Sequence, residues 1–147
     1  MPNIQYFLGG NTPTGFYSLY HQLSDPARMR ALYIIKGGPG SGKSTLMRRV
    51  ERHAQAAGLK TQQVLCSGDP DSLDAVIIPE LGAALVDGTA PQGAVPEVHG
   101  DEGQGPHVFF LRPRRGGFAA RLRVAAKILK FFHAEGIDKA GVLCYLI

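Results

Sequence analysis

The sequence predicts an α/β fold in which a mostly parallel sheet is flanked by helices. A β-branched and aromatic run, Ala31–Lys36, leads into a glycine-rich segment, Gly37–Gly42. A stretch with helical spacing follows, with apolar residues at Leu46, Met47, Val50 and Ala54. After a short turn, Thr61–Ser67 reads as a second strand. Strand, helix and strand in this order predict a βαβ unit with parallel pairing.

The remaining elements are predicted from shorter patterns. Ile4–Leu8 reads as a short strand, and the turn-rich segment "GGNTPTG" follows it. Helical spacing of Phe16, Leu19, Tyr20 and Leu23 predicts a helix. Ala83–Gly88, "AALVDG", reads as a buried strand that ends in an aspartate.

The glycine-rich segment has the spacing of a phosphate-binding loop. Gly37, four residues and then Gly42-Lys43-Ser44 fit G-x-x-x-x-G-K-[ST]. Backbone N–H groups of such a loop surround phosphate oxygens, and the positive end of the following helix strengthens the attraction. We therefore expect nucleotide to be bound by nine consecutive residues: Gly37, Gly38, Pro39, Gly40, Ser41, Gly42, Lys43, Ser44 and Thr45.

Three side chains are candidates for chemistry at this loop. Lys43 would bridge the β- and γ-phosphates, and the hydroxyl of Ser44 would bind Mg²⁺. Asp87, at the end of an apolar run, has the pattern of a strand that delivers a carboxylate toward the metal. Gly88 follows Asp87 where many ATPases that drive mechanical work have a glutamate, which favours slow hydrolysis or phosphoryl transfer.

An acidic cluster follows the second strand of the unit. Asp69, Asp71 and Asp74 lie where ligands bind in parallel α/β sheets, outside the carboxyl ends of the strands. Asp69 is the catalytic candidate because it is nearest the strand end. For any one of these aspartates, however, turn formation or helix capping is the more common role.

Composition and charge limit the classes of protein. The 147 residues carry a formal net charge of +4, and no apolar run has the length needed to span a bilayer. The N-terminus lacks a signal pattern, and Cys66 and Cys144 lie in apolar runs, so we expect a cytoplasmic protein with reduced thiols. No histidine has metal-ligand spacing.

The C-terminal part differs from the rest of the chain. Residues 1–91 form the predicted nucleotide-binding core, and residues 92–147 form a loop-rich, basic segment with a predicted helix at Phe118–His133 and a terminal strand. Pro91–Pro106 is expected to be loop, and "HVFFLRPRRGG" after it is expected to hold a short strand. The basic segment Arg112–Lys130 is an alternative nucleic-acid surface, although a solvated helix face with a basic loop is the favoured interpretation. Because the chain ends in the apolar run "GVLCYLI", we expect it to be incomplete or its C-terminal third to be foreign to the fold.

Four segments together resemble a known family. "FLGGNTPTGFYSLY", "YIIKGGPGSGKSTLMRRV", "CSGDPDSLDAVIIPEL" and "ALVDGTAP" are similar, in this order, to bacterial P-loop ATP-binding proteins whose biochemical role is unassigned. The resemblance covers about residues 4–91. Family members carry two P-loop copies, each preceded by a G-x-N-T-x-x-G-F segment. The resemblance implies a P-loop NTPase fold, nucleotide at Gly37–Ser44, and a site lined by the last two segments.

The functional expectation is an ATP- and Mg²⁺-binding P-loop protein that acts as a slow ATPase or switch. Adenine is favoured by the resemblance alone, while the guanine-reading motif N-K-x-D is absent from the sequence. The alternatives are a small-molecule kinase with Asp69 or Asp71 as base, and a nucleic-acid-binding module that uses Arg112–Lys130.

Overall fold

The computed structural model describes residues 4–24, 29–89 and 107–110, the last range by its backbone alone. Within these ranges the chain forms eight strands, one α-helix and two short 3-10 helices. The strands are β1 (Ile4–Tyr6), β2 (Gly9–Thr12), β3 (Gly15–Ser18), β4 (Ala31–Lys36), β5 (Gln62–Leu65), β6 (Leu73–Ile78), β7 (Ala83–Asp87) and β8 (His107–Phe110). Helix α1 spans Lys43–Ala56, and the 3-10 helices span Tyr20–Ser24 and Pro79–Leu81.

The fold is α/β, but its main sheet is mixed, which corrects the prediction of a mostly parallel sheet. Six strands are ordered β1-β5-β6-β7-β4-β8. The pairs β1/β5, β7/β4 and β4/β8 are parallel, whereas β6 is antiparallel to both β5 and β7. Short turns before and after β6 explain this, because such connections can join neighbouring strands only in antiparallel pairs.

Strand β4 precedes α1 and strand β5 follows it along the chain, as predicted, yet the two strands do not pair. Their directions agree, but β6 and β7 lie between them in the sheet. Strand β7 thereby becomes the parallel neighbour of β4, with Ile35 aligned on Asp87. This places the last residue of β7 beside the start of the glycine-rich loop.

The two faces of the sheet are covered differently. Helix α1 packs its apolar stripe, with Met47 fully buried, against one face. The N-terminal segment covers the opposite face through Leu8, Tyr20 and Leu23. Strands β4, β6 and β7 are consequently buried along almost their whole length, which explains their continuous apolar sequences.

Some of the strands and helices predicted from local sequence patterns are confirmed, and others are not. The strand expected at Ala31–Lys36 is confirmed with the same bounds. Those expected at Ile4–Leu8, Thr61–Ser67 and Ala83–Gly88 are confirmed with somewhat narrower bounds. The helix expected from Phe16 to Leu23 is wrong, because Phe16 belongs to β3 and only a 3-10 helix follows. Gly15, with a φ of +130°, ends the turn of a β2–β3 hairpin instead. Strand β6 was not predicted.

Other predictions fall on parts of the chain that are not described. The loop Pro91–Pro106, the helix Phe118–His133, the terminal run 141–147 and the basic segment Arg112–Lys130 all lie outside the described residues. Strand β8, also expected as a short strand, pairs with β4. Among the helices that are described, none is long and apolar enough to cross a membrane.

A buried polar network fixes the far half of α1 to β5. Glu51, which is 4% exposed, accepts hydrogen bonds from Gln63 Nε2 at 2.6 Å and from Thr61 Oγ1 at 3.2 Å. Gln55 Nε2 donates to the same carboxylate at 3.2 Å. Because buried polar groups are costly without partners, this network fixes the position of α1 along the sheet.

Substitution Glu51→Ala should therefore destabilise the fold. It removes the acceptor of two buried donors, which costs about 2–3 kcal/mol. Urea denaturation measures the loss, and Arg52→Ala, on the exposed face of the same helix turn, is the matched control with an expected change of about 0.5 kcal/mol or less. Equal stability of the two variants would show that the network does not support α1.

Candidate functional site

The glycine-rich loop joins β4 to α1 through unusual backbone angles. Gly40 and Gly42 have φ values of +71° and +89°, a left-handed region that side-chain-bearing residues rarely adopt. Gly42 is also the residue before the first helical position, and it provides no side-chain cap. The first N–H groups of α1 have no carbonyl partner within the helix, so they are directed toward the loop as donors.

The side chain of Lys43 folds back over this loop. Its Nζ donates to the carbonyl oxygen of Gly37 at 2.5 Å and to that of Gly38 at 3.1 Å. The same Nζ lies 3.5 Å from Oδ2 of Asp87, and the two side chains are only 10% and 14% exposed. The ammonium therefore connects the loop with the end of β7.

The segment after β7 is bonded to the loop as well. Gly88 donates its N–H to the carbonyl of Ile35 at 2.9 Å, and Thr89 Oγ1 donates to that of Gly37 at 3.1 Å. Oδ1 of Asp87 accepts the N–H of Thr89 at 2.9 Å, which orients the carboxylate. A Cβ on Gly88 would lie 2.4 Å from Ile34, so only glycine permits this close approach.

Ser44 and Thr45 occupy the first turn of α1. Ser44 is partly buried, and its Oγ accepts the backbone N–H of Leu73 at 3.1 Å. The hydroxyl therefore keeps a lone pair for another partner. Thr45 is exposed. Ser41, also within the loop, is 2% exposed.

A cavity of about 280 Å³ opens beside Lys43 and Asp87. Its walls come from the loop, the end of β7, the β5–β6 turn, the start of β6 and the β2–β3 hairpin. The lining residues are Asn11, Phe16, Pro39, Lys43, Cys66, Ser67, Gly68, Asp74, Asp87 and Thr89. The ends of β4, β5 and β7 and the start of the opposed β6 meet at this edge.

Asp69 lies in a turn rather than at this cavity. Its Oδ1 accepts the N–H of Asp71 at 3.3 Å, and its Oδ2 accepts the hydroxyl of Ser72 at 2.7 Å. The carboxylate is exposed. This is the turn-forming role that the sequence analysis gave as the more common one. The catalytic role of Asp69 stays a prediction, because the hydrogen bonds of its carboxylate are to its own turn and it does not line the cavity.

Asp74 is the carboxylate that sequence reasoning did not select. It is 3% exposed, and the hydroxyl of Tyr20 donates to its Oδ2 at 2.6 Å. The register of β5 and β6 shifts here, since Val64 pairs with Ala75 and Leu65 with Leu73. Asp74 is thus the extra residue of a β-bulge, a feature that re-aims side chains and is common near functional sites.

The neighbours of Asp74 are hydrogen-bond donors. Burial raises the pKa of the Tyr20 phenol, and the hydrogen bond to Asp74 raises it further. Burial also raises the pKa of the Cys66 thiol; N–H groups of Gly68 and Asp69 oppose that effect, and Asp74 adds to it. Both groups therefore remain protonated at neutral pH.

Hard oxygen atoms suited to Mg²⁺ are present at the loop. Ser44 Oγ and the Asp87 carboxylate supply them, and Mg²⁺ at nucleotides usually takes one or two protein ligands beside phosphate oxygens and water. Among the described residues, no group of three or more His, Cys, Asp or Glu side chains could hold a metal ion alone. Ser44 Oγ and the Asp87 carboxylate therefore suit an ion whose other ligands are phosphate oxygens and water.

The chain was compared with protein-family models, curated proteins and solved structures, and none of them matches it.

Substitution Gly42→Ala should disturb the loop. A Cβ in the left-handed region costs about 1–2 kcal/mol, and relief of that strain would shift Lys43. Thermal unfolding measures the loss of stability. Gly10→Ala, at a glycine with open space around it, is the control and should change stability little. Equal melting temperatures for the two variants would contradict this account of the loop.

Proposed function

We propose that this chain is a P-loop NTPase that binds ATP together with Mg²⁺ and hydrolyses it slowly. The observation that carries the proposal is the uncapped N-terminus of α1, preceded by left-handed Gly42, with the ammonium of Lys43 within 3.5 Å of Asp87. This combination offers backbone donors, a cation and a carboxylate at one edge of the sheet.

The loop suits a phosphate chain because of its donors and its lack of side chains. Gly38 and Gly40 leave open space where a Cβ would stand, so phosphate oxygens can approach the backbone. The N–H groups at the start of α1 and the helix dipole attract negative charge there. These features support binding of a polyphosphate rather than of a neutral ligand.

Lys43 would bind the β- and γ-phosphates. Its Nζ now donates to two loop carbonyls and faces Asp87. Phosphate oxygens attract an ammonium more strongly than carbonyl oxygens do, because they carry negative charge whereas a carbonyl is neutral. The lysine can therefore exchange its loop contacts for ligand while it stays next to Asp87.

Ser44 and Asp87 would hold Mg²⁺ on the phosphate side of the loop. When bound there, the ion would offset phosphate charge and orient the terminal phosphate. The Asp87 carboxylate is already oriented by the N–H of Thr89. Two further points are proposed from the sequence resemblance of residues 4–91 alone. They are that the base of the nucleotide is adenine, and that the chain belongs to the P-loop ATP-binding family it resembles.

Phosphoryl transfer to a small hydroxylated molecule is the second candidate. The cavity beside Lys43 and Asp87 is the observation that favours it, because it extends to the β2–β3 hairpin beyond the residues expected to bind phosphate. The nucleic-acid alternative depends on Arg112–Lys130, which lies outside the described residues, so no described contact favours it.

Lys43→Ala should weaken binding of Mg·ATP at least tenfold, about 1.4 kcal/mol, because a charge-assisted contact to the phosphates is lost. Isothermal titration calorimetry measures the affinity. Lys60→Ala removes an exposed lysine beyond α1 and should bind as the wild type does. Thermal unfolding of both variants checks that the fold persists. Unchanged affinity in Lys43→Ala would refute the phosphate-loop assignment.

Asp87→Asn should keep the shape of the site but reduce the dependence of ATP binding on Mg²⁺, because one carboxylate is lost from the ion's surroundings. The measurement is the ratio of ATP affinities with Mg²⁺ and with EDTA, in the variant and in the wild type. A ratio equal to that of the wild type would make Asp87 a strand-end residue without a role at the metal.

A further inference from the structure

The β-bulge in β6 places a buried carboxylate at the candidate nucleotide site. Strand β6 runs antiparallel to β5 and β7, so its first residues lie at the edge of the sheet where those two strands end. Asp74 lines the same cavity as Lys43 and Asp87. A regular strand would alternate the side chains of Asp74 and Ala75 between faces, whereas the bulge allows both to lie on the Tyr20 side.

A carboxylate at this position is costly unless it is paired or used. Asp74 is 3% exposed, and transfer of a charged group from water is unfavourable without hydrogen bonds. Tyr20, which is fully buried, donates a hydrogen bond of 2.6 Å to Oδ2. That bond fixes the direction of the carboxylate. If Asp74 only linked β6 to the N-terminal segment through Tyr20, it would not need to border the cavity as well.

Asp69 and Asp87 are less suited to accept a proton from a nucleophile. Both oxygens of Asp69 are used by its own turn. Asp87 faces the Lys43 ammonium and the N–H of Thr89, which suits a metal-side role. Asp74 is the carboxylate in the cavity wall with neutral donors, Tyr20 and Cys66, beside it.

We infer that Asp74 orients the water molecule that attacks the γ-phosphate and accepts its proton; the inference rests on the proposed function. In this step the water oxygen forms a bond to the γ-phosphorus, and one water proton passes to the Asp74 carboxylate. The bond from the γ-phosphorus to the bridging oxygen breaks, and its electron pair leaves with the nucleoside diphosphate. Tyr20 is the positioning residue, since it acts through Asp74.

The test is single-turnover hydrolysis of Mg·ATP by the full chain. Asp74→Asn keeps the size of the side chain and an oxygen that can accept from Tyr20, but it loses the base. Hydrolysis should fall about a hundredfold or more, the usual effect of removing a general base. Affinity for Mg·ATP, measured by calorimetry, should stay within about threefold of the wild type because binding rests on the loop.

Glu80→Gln is the matched control. It makes the same chemical change in the 3-10 helix that follows β6, where Glu80 accepts the N–H of Lys60 instead of lining the cavity. This variant should hydrolyse and bind ATP as the wild type does. Thermal unfolding of both variants separates a catalytic loss from a folding loss.

A second variant keeps the inference testable if Asp74→Asn does not fold. Tyr20→Phe removes only the hydroxyl that orients Asp74 and leaves the base in place. Hydrolysis should therefore fall about tenfold, less than the hundredfold or more expected when the base itself is lost, with affinity unchanged. A purely structural tie would lower stability without slowing hydrolysis of the folded protein.

Three results would overturn the inference. They are unchanged hydrolysis in folded Asp74→Asn, loss of ATP affinity in that folded variant, and ATP binding without any hydrolysis by the wild type. The third leaves the proposed nucleotide binding intact. Failure of the wild type to bind Mg·ATP would refute the proposed function itself, and the inference with it.

Discussion

The parallel pairing of β4 with β7 is the constraint on which the candidate site depends. It aligns Ile35 with Asp87, so one strand ends in a carboxylate where the other begins the glycine-rich loop. Gly88 then donates to Ile35, and its missing Cβ lets the two segments approach. Lys43 reaches Asp87 only because this register is kept. A one-residue slip would turn Asp87 toward the opposite face of the sheet.

Both faces of the sheet contribute to the same edge. Helix α1 anchors the loop from one side through its apolar stripe and through Glu51. The N-terminal segment covers the other side, where Tyr20 holds Asp74 and the β2–β3 hairpin lines the cavity. The site is thus supported by packed elements on both faces, which is what precise placement of charged groups requires.

Local patterns in the sequence predicted the loop, its strand and its helix, because glycine spacing and apolar periodicity are local signals. The apolar run before Asp87 also predicted that this residue ends a strand, as it does in β7. The mixed sheet was not predicted, since strand order depends on contacts between distant segments. Asp74 was passed over for Asp69 because a β-bulge leaves no periodic signal, and its partner Tyr20 lies 54 residues away. The helix predicted from Phe16 onward was wrong for a local reason. Apolar residues at helical spacing also fit a short strand followed by a turn, and the sequence alone does not distinguish the two.

The most direct measurement is an NMR titration of the ¹⁵N-labelled chain with Mg·ATP. If the loop binds the phosphates, amide shifts should be largest at Gly40, Gly42, Lys43 and Ser44, with smaller changes at Gly88 and Thr89. Gly58, beyond the end of α1 that is remote from the loop, should shift little. Saturating Mg·ATP that leaves the amides of the loop unchanged, or that shifts only residues remote from β4 and α1, would contradict the account.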